Sequence, residues 1–109
     1  MDETSGLVDT GAEVRSSPSP SVIAWGEIDV STVARLEAAL EAAIETGGSG
    51  VVVVDLTEVT FIDSSGLGAL VAGLKQAQQR GGTLVVRGIQ GAPRKVFEIT
   101  GLLDVFQAD

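Results

Sequence analysis

Cysteine, histidine and tyrosine are absent from these 109 residues, and the aromatic complement is one tryptophan and three phenylalanines. Without cysteine there is no disulfide framework and no thiolate chemistry. Without histidine, the usual general base at neutral pH and the commonest metal ligand are missing. Ser-His-Asp catalysis, Cys-His catalysis and Cys/His zinc sites are thereby excluded, and neither an enzyme nor a bound cofactor is expected. No apolar run approaches the ~20 residues that a membrane-crossing helix needs, so a soluble chain without membrane insertion is expected. Met1-Asp2-Glu3-Thr4 has no basic region and no apolar continuation, so no secretory signal is read there. The lack of cysteine is compatible with a reducing compartment, and a cytoplasmic location is expected.

Basic residues are also scarce, seven against fifteen acids, for a formal net charge of −8. The imbalance is uneven. Residues 1–63 hold twelve acids and two bases, net −10, whereas residues 64–109 hold three acids and five bases, net +2. Lys75, Arg80, Arg87, Arg94 and Lys95 fall in one later segment without interleaved aromatics, and the overall charge repels a phosphate backbone. They read as solvated surface charge, and nucleic acid is not an expected partner.

What is present is an aliphatic globular domain. Hydrophobic residues make up 44% of the chain, and a domain of this length buries roughly two-thirds of its unfolded surface. Residues 1–21 form a polar segment in which Leu7-Val8 and Ala12-Glu13-Val14 suit a short edge strand or hairpin arm. It ends in the turn-forming run Ser16-Ser17-Pro18-Ser19-Pro20-Ser21, and the domain proper is placed at 22–109. Val22-Ile23-Ala24-Trp25 reads as a strand closed by Gly26. Ser31 is the expected N-cap of a helix from Thr32 to about Thr46, with Val33, Leu36, Leu40 and Ile44 on its apolar face and Ala39 and Ala43 beside them. Glu37, Glu41 and Glu45 repeat at i, i+4, a like-charge row that belongs on a solvent face.

Gly47-Gly48 ends that helix. Val51-Val52-Val53-Val54-Asp55-Leu56 lacks alternation and predicts a central strand buried on both faces. Thr57-Glu58 is expected to turn the chain before Val59–Ile62. A second helix is expected from about Ser65 to Arg80, ended by Gly81-Gly82, with Leu67, Leu70, Val71 and Leu74 at i, i+3, i+4, i+7. Thr83–Arg87 gives another strand, so strand, helix and strand recur at the spacing of a parallel crossover. Pro93 suits the first turn of a short third helix to about Thr100, with Val96 and Phe97 inward and Gly101 closing it. Leu102–Phe106 supplies a last apolar contact or a short strand.

The stretch Thr60-Phe61-Ile62-Asp63-Ser64-Ser65-Gly66-Leu67-Gly68 joins the strand-like run to the second helix, and its Asp-Ser-Ser sits at a helix N-terminus. Capping is the commoner role of such residues. Other chemistries fail on spacing. A dinucleotide fingerprint beginning at Gly66-Leu67-Gly68 would need its third glycine where Val71 stands, no phosphate loop ending in Gly-Lys-Ser/Thr occurs, and a nucleophile elbow on Ser65 would need glycine at Asp63. A serine hydroxyl at an exposed helix end beside one carboxylate remains, with no base to activate it. It is suited to being a substrate itself.

Together, Gly26-Glu27-Ile28-Asp29, the valine strand, Phe61-Ile62-Asp63-Ser64-Ser65-Gly66-Leu67-Gly68, Gly81-Gly82 and Ile99-Thr100-Gly101-Leu102 resemble a STAS domain of the anti-sigma factor antagonist type, over roughly residues 22–106. The resemblance implies an α/β fold of STAS type, a small mixed sheet with largely parallel core strands and helices packed on it. It also implies a switch. The unphosphorylated protein would bind an anti-sigma factor that is itself a serine kinase of the histidine-kinase-like ATPase fold, and so free a sigma factor. Phosphorylation at Ser64 would dissolve that complex, and a serine phosphatase would restore it. On the same resemblance Asp29, Asp63, Ser64, Ser65, Gly66 and Leu67 form the partner surface, with Asp29 near the serine. The alternative is a non-switching STAS adaptor of a membrane transport complex or larger signalling assembly, in which Ser64 only caps the helix. The Pro-Ser-Pro segment is expected to shorten or displace the first strand pair.

Overall fold

The computed structural model describes residues 10–15 and 20–108. Runs rich in β-branched residues form one four-stranded sheet: β1 (Gly11–Arg15), β2 (Ser21–Ile28), β3 (Val51–Ile62) and β4 (Thr83–Arg87), side by side in that order. β1 lies antiparallel to β2, while β2, β3 and β4 are mutually parallel. The helices α1 (Val33–Gly47) and α2 (Ser64–Gln79) are the two crossovers, and α3 (Gly91–Thr100) and α4 (Leu102–Val105) follow β4. This is the expected mixed sheet with a parallel centre. Ala12–Val14 lie in β1, which makes a five-residue pair with β2. The Leu7-Val8 expectation and residues 16–19 of the Pro-Ser run lie outside the described residues.

A side chain on a strand alternates between faces, and the sheet uses one face for its core. Val22 and Ala24 of β2, Val52, Val54 and Leu56 of β3, and Leu84 and Val86 of β4 are buried in one cluster with Leu36, Leu40 and Ile44 of α1 and Leu70 and Leu74 of α2. The predicted apolar faces of both helices therefore hold. The expectation that β3 is buried on both faces does not. Val51 is 48% exposed and Val53 is half-buried, because the other valines alone meet the helices. Four consecutive valines record β-branched preference on a half-open sheet, not two-sided burial.

Nor does Thr57-Glu58 turn the chain. β3 runs unbroken for twelve residues, and its register against β2 slips twice, between Ile23 and Trp25 and between Gly26 and Glu27. Each slip inserts one extra β3 residue, so Leu56, Val59 and Ile62 are all buried at a spacing of three instead of two. A bulge keeps the strand in the sheet while resetting which side chains face inward. β2 likewise continues past Gly26 to Ile28, with Gly26 at φ 84° absorbing the irregularity. Gly26 suits that position because only glycine adopts it without a Cβ penalty.

At the far end, Phe97 and Phe106 are fully buried with ring centroids 6.0 Å apart. Val96 is only half-buried. Leu102–Val105 form a short helix instead of a strand, and this turn brings the Phe106 carbonyl to the Val86 N–H at 3.1 Å. The edge of β4 gains a partner there, as a covering segment does for an open strand.

Candidate functional site

The loops after β2 and β3 leave the sheet at the same end, the carboxyl ends of two parallel neighbours, where α/β sheets ordinarily place their sites. Ile28 pairs with Ile62, and the Asp63 N–H donates to the Ile28 carbonyl at 3.2 Å. Asp29 and Asp63, the residues that follow this pair, are thereby held side by side at the start of their loops.

Asp63 has extended backbone (φ −112°, ψ −169°) and is the N-cap of α2. Its Oδ1 accepts from the Ser65 N–H at 2.9 Å and the Gly66 N–H at 3.4 Å, while its carbonyl accepts from the Leu67 N–H at 3.0 Å. The helix therefore starts at Ser64, one residue earlier than the periodicity suggests, and the acid performs the capping. Ser64 is exposed at the first helical position, and among the described residues its hydroxyl makes no hydrogen bond within the chain. Ser65 is half-buried.

Gly66 is buried, and its role is steric. A Cβ built there would stand 2.6 Å from the Ile62 side chain and 2.8 Å from that of Ile28. The missing side chain lets α2 rest directly on the paired strand ends. Leu67 is half-buried against the core. Of the six residues singled out in the sequence, Asp29, Asp63 and Ser64 thus present polar groups at this end, Ser65 lies partly covered, and Gly66 and Leu67 seat the helix.

Asp29 organises the other loop. Its Oδ1 accepts from the Ser31 N–H at 2.9 Å and the Ser31 hydroxyl at 2.7 Å, with Thr32 Oγ1 at 3.4 Å. These bonds, with Ser31 first, hold the Asp29 carboxyl below the ordinary carboxylate pKa, because they stabilise the charged form. Ser31 is consequently not the N-cap of α1. Thr32 occupies that position without a capping side-chain bond, and its hydroxyl donates back to the Glu27 carbonyl at 2.8 Å. The Asp29 carbonyl instead accepts from the Thr32 and Val33 N–H groups at 3.0 and 2.8 Å. Both aspartates therefore spend Oδ1 on their own turns, and neither Oδ2 has a hydrogen bond among the described residues.

An open groove of about 730 Å³ lies beside Asp29, bordered by Thr10, Trp25, Glu27, Glu58 and Thr60 among others. Among the described residues its charged lining, Glu27, Asp29 and Glu58, is acidic, and Arg35 donates to the carbonyl of Thr10 on its border at 2.6 Å. Val30 and Phe61 are exposed at the same end of the sheet. Glu58, Thr60 and Val30 were not legible as site residues: the double bulge of β3 and the loop after Asp29 decide where they point. Among the described residues no group of three or more acids is placed to hold a metal ion, and no helix is long and apolar enough to cross a membrane.

Residues 14–108 match the STAS domain family. The chain is 37% identical over 94 residues to the anti-sigma-B factor antagonist of Listeria monocytogenes, covering 85% of this chain and 81% of that protein. The anti-sigma-B factor antagonist of Staphylococcus aureus is 37% identical over 84 residues, 77% of each chain. Among solved structures, an anti-sigma factor antagonist from Mycobacterium paratuberculosis superposes with a TM-score of 0.79 at 29% identity, over 91% of this chain and 84% of that one.

Proposed function

This chain belongs to the STAS domain family, and from that premise we propose that it is an anti-sigma factor antagonist switched off by phosphorylation of Ser64. Its role is regulatory, not catalytic. Unmodified, it binds an anti-sigma factor that is also a serine kinase of the histidine-kinase-like ATPase fold, and the sigma factor is released. Phosphate on Ser64 dissolves the complex, and a serine phosphatase resets it. The 37% identity with the Listeria anti-sigma-B factor antagonist supports the partner class.

The observation that carries the switch is the division of labour at the start of α2: Asp63 caps, and Ser64 stands exposed. A helix N-terminus ordinarily welcomes an anion through its free amides and dipole. Here Asp63 already holds the Ser65 and Gly66 amides. A phosphate on Ser64 therefore adds about −1.5 to −2 charges beside Asp63, with Asp29 on the adjoining loop, without a ready set of donors in its own chain. The domain stays folded, because nothing in the core or the cap uses the hydroxyl. The interface suffers, since an unpaired or like-charge contact across it costs several kcal/mol and each 1.4 kcal/mol is about tenfold in affinity.

The proposed partner surface comprises Asp29, Asp63, Ser64, Ser65 and Leu67, with Gly66 holding α2 in place behind it. The test is a pull-down from the native cell with wild type, Ser64→Ala and Ser64→Asp, the captured proteins being identified by mass spectrometry. An ATPase-fold anti-sigma factor retained by the first two and lost by Ser64→Asp is the expected result. Identical partner sets for all three would refute the switch.

A further inference from the structure

Two large apolar side chains are exposed at this end of the sheet. Val30, directly after Asp29, is 78% exposed, and Phe61, two residues before Asp63, is 44% exposed. Phe61 is the register partner of Glu27 on β2, and Glu58 and Thr60 of the same strand border the acidic groove. Its strand position is fixed by the two residues that follow it: Ile62 is buried, and Asp63 is bonded to Ile28 and caps α2. A large aromatic side chain is thus presented in a pre-organised setting, within three residues of Ser64 and opposite Glu27 in the strand pairing. Buried aromatic anchors dominate interface energetics because they bring large contact area at little cost in conformational entropy.

Resting on the anti-sigma factor reading above, we propose that Phe61 is the apolar anchor of that interface, flanked by Val30, and that the anti-sigma factor receives it in an apolar recess bordered by basic side chains that meet Glu27 and Glu58. Charge complementarity selects this partner chemistry. Among the described residues the charged groups lining the groove, Glu27, Asp29 and Glu58, are all acids, and residues 1–63 are net −10, so an acidic rim is repelled and a basic rim is drawn in. The placement also explains why a phosphate on Ser64 acts on binding: it brings further negative charge into the footprint centred on Phe61, where the partner's basic groups and apolar recess must close together.

The experiment is titration calorimetry of the full chain with the purified anti-sigma factor captured by wild type and Ser64→Ala, at low and at high salt. Phe61→Ala should weaken binding on the order of 30-fold or more, with circular dichroism at the assay temperature showing that the variant is folded. Val30→Glu, a change at an exposed loop position that empties no core space, should weaken it about tenfold. Glu27→Gln with Glu58→Gln should weaken binding at low salt and lose most of that effect at high salt, as screened rim charges do. Ile99→Ala, 83% exposed on α3, should bind as wild type. If Phe61→Ala and Val30→Glu both bind within about threefold of wild type while Ser64→Asp does not bind, the anchor is wrong and the switch stands. If Ser64→Asp binds normally while Phe61→Ala does not, the anchor stands and the switch is wrong.

Discussion

The carboxylate of Asp63 accepts the Ser65 backbone N–H at 2.9 Å, and this bond separates two roles that the adjoining residues share in sequence. Capping belongs to the acid. Among the described residues the hydroxyl of Ser64 takes no part in the structural hydrogen bonding, one position into the helix. Ser64 is therefore not the N-cap of α2, because Asp63 fills that role.

Stability should divide in the same way. Asp63→Ala removes the side-chain cap of α2 and should cost about 0.5–2 kcal/mol, whereas Ser64→Ala at an exposed site should stay within about 0.5 kcal/mol of wild type. Urea unfolding of the two variants, with equal m-values, checks the difference.

Gly66→Ala should destabilise more than its small size suggests. The added methyl meets Ile62 at 2.6 Å and Ile28 at 2.8 Å, so α2 must lift from the strand ends at a cost of about 1–3 kcal/mol. A lowered melting temperature, against an equal or higher one for Gly68→Ala, where a Cβ has open space inside the helix, is the expected pair of results.

The loop after β2 makes a pH prediction. Asp29 is held below the ordinary carboxylate pKa chiefly by the Ser31 hydroxyl and N–H. A folded-state pKa below the unfolded one contributes stability above the unfolded value, and that contribution is lost as pH falls through the folded value. The effect is small, since the group is largely solvated. Ser31→Ala should raise the Asp29 pKa toward its ordinary value and leave the neutral-pH melting temperature nearly unchanged, as read by NMR titration of the carboxyl carbon.

The aliphatic core includes an aromatic pair. Phe97 is fully buried against Phe106, and Phe97→Ala should cost about 3–5 kcal/mol. Chemical denaturation checks this, and Ile99→Ala on the exposed side of the same helix should be near neutral.

Much of this molecule is legible in its sequence, for physical reasons. The helical period of Leu36, Leu40 and Ile44, and of Leu67, Leu70 and Leu74, places both crossovers, since an apolar stripe has one place to go. Asp63 and Ser64 are legible because caps and exposed helix ends are local chemistry. The errors lie where the outcome depends on a neighbour. Thr57-Glu58 carries turn-like polarity yet stays in β3, because a bulge against β2 absorbs the extra residue. Ser31 has the right identity for a cap, but the Asp29 carboxylate two residues earlier captures its hydroxyl. Val51–Val54 look doubly buried, and only the arrangement of the helices on the sheet reveals which valines are covered. The exposure of Phe61 is likewise invisible in the chain, where it reads as one more apolar residue of a strand.

The most direct measurement is the affinity of the purified anti-sigma factor for this protein with and without phosphate on Ser64, recorded alongside the melting temperature of each form. Unmodified protein should bind, and the phosphorylated form should bind at least about 100-fold more weakly while melting within a few degrees of the unmodified form. Equal affinities, or a phosphorylated protein that has unfolded, would contradict the account.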